Sequence, residues 1–417
     1  MKDDKAAPAP AQVTGDGGSG SGSAGEVFAA FGKLGLTAFG GPIAHLGYFR
    51  EEFVVRRKWL DEKGYADLVA LSQFLPGPAS SQVGFALGLM RAGPAGAAAA
   101  FLAFTLPSAL IMIAFAYGAF VFAGPVGAGV IDGLKIVAVA IIAHAVWGMA
   151  RQLCPDRTRA AIALGAVLIA LIPAGAYMQV LAIAAGAVLG LALCREARSE
   201  AGSALPFTVS RATGYACLAA FAILLIGLPL VKAAGAPQGI ALFDAFYRAG
   251  ALVFGGGHVV LPLLEAETVR TGWIDADTFL AGYGAAQALP GPLFTFAAYL
   301  GAAIEPATGI GANGVLGAMI ALAAIFLPGF LLLVGVIPFW NAFRERPAAQ
   351  ALMRGANAAV VGILGAALYT PVFTSAVIGP GSFALALTCF LLLMVWKLPP
   401  WAVVIVAAIG GALMGAV

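Results

Sequence analysis

Two cations, two glycine pairs and two Pro-Gly-Pro turns are spaced alike in the two halves of this chain. Lys33 and Arg248 each stand seven residues before a glycine pair, Gly40-Gly41 in one case and Gly255-Gly256 in the other. Phe31, Gly35 and Phe39 accompany the first set, and Phe246, Gly250 and Phe254 the second, all at a constant shift of 215 residues. Further on, Trp59, Asp61, Gln73, Leu75, Pro76, Gly77 and Pro78 recur as Trp273, Asp275, Gln287, Leu289, Pro290, Gly291 and Pro292, at a shift of 214. Matches that keep one spacing over such a stretch indicate duplication and fusion. Glycine and proline both interrupt helices, freeing backbone N–H groups, and a helix that restarts there presents the positive end of its dipole. Carboxylates are few around these breaks. Donor-rich and acid-poor, the set suits an anion.

The individual candidates follow from that chemistry. Gly40, Gly41, Gly255 and Gly256 offer a backbone cradle, with close helix packing as the alternative. The turns at Gly77 and Gly291 each start a half-helix, Ala79-Ser80-Ser81-Gln82 in one repeat and Leu293-Phe294-Thr295-Phe296 in the other. Ser81 and Thr295 are then equivalent hydroxyl donors at a helix N-terminus, with Ser80 beside them; capping is the plainer role. Gln73 and Gln287 lie three residues before the first proline of each turn, and a buried amide there must find partners in the substrate or in the break. Lys33 and Arg248 sit about 10 Å from their breaks along a helix. Keeping a cation inside a membrane costs at least ~2.5–3.5 kcal/mol at the centre, less if it snorkels to the interface. His45 and His258 are not related by the repeat. With His144 the only other histidine, no metal-ligand spacing arises, although His258 stays a candidate donor beside its break. Asp67, Asp132, Asp244 and Glu305 are the candidates for proton coupling. Asp132 has Lys135 one turn on and reads as a helix-face pair. Glu52 and Glu267 recur between repeats and read as solvated loop residues.

The elements that must position these groups are membrane helices. Hydrophobic residues make up 61% of the 417 and charged ones 10%, a poor fit to a soluble domain. Apolar runs such as 95–122 and 315–338 reach the ~20 residues that cross a bilayer. The expected fold is an all-α polytopic membrane protein: two homologous repeats in inverted topology, with broken or re-entrant helices near the midplane. Residues 1–25, rich in Gly, Ser, Ala and Pro, form a disordered tail without the pattern of a cleavable signal peptide. Residues 26–194 make the first repeat, 195–240 a linker with one extra transmembrane helix near 212–233, and 241–417 the second repeat. Cys154, Cys194, Cys217 and Cys389 are scattered, which supports neither a disulfide framework nor a redox pair.

Charge placement sets the orientation. If the first two segments of each half enter and leave on one side, Arg50, Arg56, Arg57, Lys58 and Lys63 share a face with Arg91, Arg151, Arg157 and Arg159. The extra helix inverts the second half, so the acidic loop around Glu265, Glu267, Asp275 and Asp277 falls outside. Nearly all cations then lie inside, as the positive-inside rule asks.

Phe39-Gly40-Gly41-Pro42, Trp59-Leu60 and Gln73-Phe74-Leu75-Pro76-Gly77-Pro78 resemble the signature of the chromate ion transporter family. Phe254-Gly255-Gly256-Gly257-His258, Trp273-Ile274 and Gln287-Ala288-Leu289-Pro290-Gly291-Pro292 resemble its second-domain counterpart, with Gly257 in place of the first repeat's proline. The resemblance spans 26–417. It implies a two-domain transporter of the bacterial inner membrane that exports chromate, with sulfate a related ligand; an oxyanion transporter of other selectivity or an anion channel are the alternatives. No enzyme activity, cofactor, metal or nucleic-acid partner is expected, since neither paired Cys/His ligands nor a strand–turn–helix glycine fingerprint is visible. Membrane lipid is the surrounding partner, and a homodimer is compatible.

Overall fold

The computed structural model describes residues 22–118, 124–172, 177–194, 209–254, 256–304, 313–340 and 346–416. Most of the tail, most of the 195–211 stretch, Gly255 and Glu305 lie outside the described residues. The described chain is helical without strands. Five helices are long and apolar enough to cross a membrane, at Ala79–Gly118, Pro125–Leu153, Arg211–Ala233, Gly314–Phe339 and Pro347–Ala376.

The sequence breaks are real breaks. α1 (Ala24–Thr37), started by the Ser23 hydroxyl on the Glu26 N–H, stops at Ala38, and α2 (Gly41–Phe49) restarts after Gly40. α3 (Glu62–Phe74), capped by Asp61, stops before the Pro-Gly-Pro turn, and α4 (Ala79–Gly118) begins after it. The second half repeats the pattern. α9 (Gln238–Ala251) precedes a 3-10 turn (Gly257–Val259) and α10 (Val260–Thr268). α11 (Ala276–Ala286), capped by Asp275, precedes a second 3-10 turn (Leu293–Thr295) and α12 (Phe296–Ala303). At ~1.5 Å per residue none of these pieces except α4 spans a ~30 Å core alone. α4 is itself two helices, joined where Ala92 and Gly93 leave helical geometry.

The remaining first-half helices are α5 (Pro125–Leu153), α6 (Arg157–Ala170) and α7 (Tyr177–Leu193). α8 (Arg211–Ala233) lies between the halves, and only 6% of its most apolar window is buried. An apolar helix so little covered by protein faces lipid. α13 (Gly314–Val336), α14 (Pro347–Ala367), α15 (Pro380–Met394) and α16 (Pro400–Ala416) complete the chain.

The two halves interlock. α16 packs along α5, and α6 and α7 pack along α14. Small residues make these contacts possible, because packing between apolar helices depends on backbone approach more than on the hydrophobic effect. Gly411 lies on Gly129 and Ala407 on Gly133, while Gly190 lies on Ala351 and Gly186 on Gly355. Both contacts are antiparallel, since one number falls as the other rises. Within each half, Gly35 lets α1 approach the Ala103 and Phe104 carbonyls of α4, and Gly250 lets α9 approach the Ile325 carbonyl of α13. One buried cluster runs through both halves, from Met112 and Ile142 to Phe246, Phe326 and Val360.

Candidate functional site

Four broken segments meet at one crossing, and backbone groups hold it together. Ending α1 at Thr37 leaves the Ala38 carbonyl without a helical partner; it accepts the Gly291 N–H at 2.9 Å and lies 3.2 Å from His45 Nε2. In the other half the Val253 carbonyl accepts the Gly77 N–H at 2.7 Å. Ala38 and Val253 are equivalent in the repeat, as are Gly77 and Gly291. One interaction is therefore made twice, each half's Pro-Gly-Pro turn bonding to the other half's glycine break. Gly77 (φ 125°) and Gly291 (φ 91°) hold backbone conformations that side chains resist, as do Gly40 (φ 100°) and Gly41 (φ 77°).

The centre of the crossing is marked by Pro42 and Gly257. These residues are equivalent, and a methyl on Gly257 would lie 3.0 Å from Pro42 Cγ and 3.8 Å from Leu293 Cδ2. Equivalent residues touch only near a pseudo-two-fold axis. The starts of α2, α10 and the Leu293 turn thus converge, and Ser80 brings in the start of α4, its Oγ 3.3 Å from His45 Nδ1. Two helices with an internal proline back the turns. A methyl on Gly77 would meet Gly329 Cα at 3.0 Å, and one on Gly291 would meet Ser108 Oγ at 2.8 Å. Gly329 and Ser108 follow Pro328 and Pro107, in matching Leu-Pro pairs that the sequence reading passed over.

The other candidates are distributed unevenly. Ser81 is buried, and its hydroxyl has no partner among the described residues. Thr295 is buried and donates to the Pro292 carbonyl at 2.8 Å, the capping role. Gln287 is half-buried, with its Nε2 enclosed and unpaired among the described residues. Gln73 is exposed, so the expectation of a buried amide fails for the first repeat. Gln82 takes that place: fully buried, it donates to the carbonyls of Pro76 at 3.1 Å and Gly329 at 2.9 Å and ties the turn to the other half. His258 Nδ1 lies 2.7 Å from the Tyr283 hydroxyl, and Gly256 lies beside Met149. An unpaired buried polar group costs ~1–3 kcal/mol. Three of them, on Ser81, Gln82 and Gln287, accompany the two turns.

The two equivalent cations have different surroundings. Lys33 is exposed, and among the described residues no carboxylate lies within ion-pair reach of it. Arg248 is caged: its Nη2 lies 2.7 Å from Asp244 Oδ2 and 3.1 Å from Glu267 Oε2, and Lys232 Nζ is 3.7 Å from the same Asp244 oxygen. Asp244 is 1% exposed and Glu267 6%, so the reading of Glu267 as solvated is corrected. Glu52 is likewise buried, bonded by Arg56 and by Arg57 at 2.7 Å. The acidic stretches fold back as helical turns onto cations, because a buried carboxylate is tolerated only when paired. A cavity of about 660 Å³ lies beside α5, α11 and α12, where Lys135 bridges Asp132 at 2.6 Å and Asp277 at 3.2 Å. The helix-face pair is as expected; the reach across to Asp277 is not visible in sequence.

Comparison with known proteins places these features in context. The family model described as chromate transporter matches residues 25–191 and 240–412. A chromate transport protein of Pseudomonas aeruginosa is 30% identical over 343 residues, covering 82% of this chain and 79% of that protein. A probable chromate transport protein of Synechococcus elongatus is 28% identical over 415 residues, covering 92% of this chain and 93% of its own. A chromate transport protein of Cupriavidus metallidurans is 28% identical over 389 residues, with 91% and 90% covered. No solved structure matches the chain.

Proposed function

The chain belongs to the chromate transporter family, and from that premise we propose that it is a secondary transporter exporting chromate from a bacterial cytoplasm, with the anion passing through the crossing of the four broken segments. The observation that carries this reading is the reciprocal pair of bonds, Gly77 to Val253 and Gly291 to Ala38. Irregular backbone persists at membrane depth only where protein or a cavity satisfies it. Transporters built from inverted repeats place the substrate where such segments meet. The N–H groups at the starts of α2 and α4, and at the turns beginning at Gly257 and Leu293, are the backbone donors of this reading. Ser80, Ser81, Gln287 and Thr295 supply side-chain donors, and the glycines at 40, 41, 77, 256 and 291 let the backbone approach. Lys33 draws the dianion towards the crossing. Arg248, although equivalent, spends its charge on Asp244 and Glu267 and holds its half together.

Inversion is supported by two independent contacts. Lys135, in the N-terminal half of α5, touches Asp277, at the start of α11. In a parallel arrangement those ends fall on opposite faces; in the inverted one both lie outside. The antiparallel register of α5 with α16 and of α14 with α7 agrees, given the short turn that joins α5 to α6. Export follows from charge. A dianion leaving a cell that is negative inside gains about 4.6 kcal/mol per 100 mV, twice the value for one charge, and the crossing needs no carboxylate relay to exploit it.

Purified protein in proteoliposomes with an imposed potential tests the reading. Chromate flux is expected to saturate with concentration and to reverse with the sign of the potential. Flux that never saturates belongs to a channel, and no chromate flux in either direction refutes the assignment.

A further inference from the structure

The cavity of about 660 Å³ around Lys135 stands apart from the crossing, yet two helices connect them. α11 runs from Asp277 on the cavity wall to Ala286, next to Gln287, and α12 returns from the Leu293 turn to Ala303 on the same wall. The separation is one short helix, about 15 Å. Three charged groups occupy the cavity. The Lys135 side chain is 11% exposed and turned inward, while the carboxylates that hold it, Asp132 and Asp277, are 54% and 62% exposed. The group is net negative, and its carboxylates face the open side.

The internal repeat gives sequence counterparts for these residues, although α3 does not pack along α14 as α11 packs along α5. Pro125 and Pro347 open α5 and α14, and Gly133 and Gly355 keep the same spacing and make the same kind of contact. In that register Asp132 corresponds to Arg354 and Lys135 to Asn357; the earlier match of Asp61 to Asp275 makes Asp277 the counterpart of Lys63. Positions that are acidic in one copy are basic in the other. Duplication began with like charges in both copies, so this reversal is a difference the two halves have acquired. Lys63 is exposed, and Arg354 donates to the Cys194 carbonyl at 2.6 Å, which leaves its charge without a carboxylate among those contacts.

We propose that the Lys135 cavity is the outer mouth of the anion path, and that Asp132 and Asp277 disfavour anion re-entry there, a barrier that their basic counterparts Lys63 and Arg354 do not set up in the other half. The inference rests on the transport reading above for its substrate and its sidedness. The charges act locally, because screening confines them to about 8 Å at physiological ionic strength. They set the apparent affinity at the outer face and leave the end point of transport to gradient and potential.

Chromate flux is measured from each face separately, in proteoliposomes sorted by orientation, for the wild type and for Asp132→Asn/Asp277→Asn. At low salt the half-saturating concentration at the outer face is expected to fall about three- to tenfold, at least threefold more than at the inner face. The difference is expected to collapse in about 0.5 M salt. Asp277→Asn alone, which leaves Lys135 paired with Asp132, gives a smaller shift in the same direction and covers the case of a double variant that does not fold. Equal shifts at both faces, or a shift that survives salt, overturn the inference while leaving the transport reading intact. A wild type without chromate flux removes the transport reading and this inference with it.

Discussion

In the first half Lys33 lies open at the surface of α1; in the second, Arg248 stands at the equivalent place on α9 with Asp244 and Glu267 bonded to it. The breaks nearby are nearly superimposable in their bonding, each turn donating to the other half's carbonyl. Backbone geometry has therefore been kept in duplicate while the charges around it have diverged. Geometry is constrained because each half needs the other's carbonyl. A charge is free to change role once its copy serves the original purpose.

The sharpest way to break this comparison is to neutralise the two cations in turn. Arg248→Gln leaves Asp244 and Glu267 buried without their main partner, a change that costs about 3–5 kcal/mol in comparable buried pairs. Loss of folded protein and a lower melting temperature in detergent are expected, and Arg248→Gln/Asp244→Asn should recover part of the loss. Lys33→Gln should leave the melting temperature in place and weaken chromate flux. Equal melting temperatures for the two single variants would dissolve the distinction between a structural and an attracting cation.

The conserved geometry is probed by Gly77→Ala and Gly291→Ala. Each forces a side chain onto a positive-φ position, at ~1–3 kcal/mol. Each methyl also meets backbone, Gly77 the Gly329 Cα at 3.0 Å and Gly291 the Phe104 carbonyl at 3.1 Å. Both variants should lose at least about tenfold of flux and melt at a lower temperature. Retention of flux in either would separate the turns from the transport path.

The smallest effects belong to the hydroxyls. Thr295→Val removes the bond to Pro292 and should cost about 1 kcal/mol in thermal stability. Ser81→Ala removes a group with no partner among the described residues and should cost none. If Ser81 serves the anion, its removal raises the half-saturating chromate concentration about threefold, and Thr295→Val raises it less. Identical behaviour of the two variants would make both hydroxyls simple caps.

Much of this was legible in the sequence because breaks are local. Gly40-Gly41, Pro76-Gly77-Pro78 and their copies interrupt helices wherever they stand, so α1, α2, α3 and α4 end and begin within a few residues of the expected places. The family, the helical class and the doubling followed from the same motifs. The seam of the molecule was hidden because it depends on pairs far apart in the chain. Gln82 reaches Gly329, Lys135 reaches Asp277, and Gly133 receives Ala407. One signal was present and unused: small residues four apart at Gly129 and Gly133 and at Gly186 and Gly190 mark faces of close helix contact. Burial of Glu267 was hidden in the same way, since its partner Arg248 stands on another helix, whereas Glu52 is held by its near neighbours Arg56 and Arg57.

The seating of Gly186 and Gly190 against Gly355, and of Gly129 and Gly133 against Ala407 and Gly411, also sets a schedule for biosynthesis. When α7 leaves the ribosome its partner helix has not been translated, and it waits until Pro347–Ala367 has been made before α14 arrives. α5 waits longer still, because Pro400–Ala416 of α16 follows later. The first half therefore starts its life in the membrane with a glycine-lined face uncovered, and a helix made much later completes its packing. Deleting α16 strips the cover from α5 and leaves the earlier half as an assembly intermediate, the form most exposed to membrane quality control.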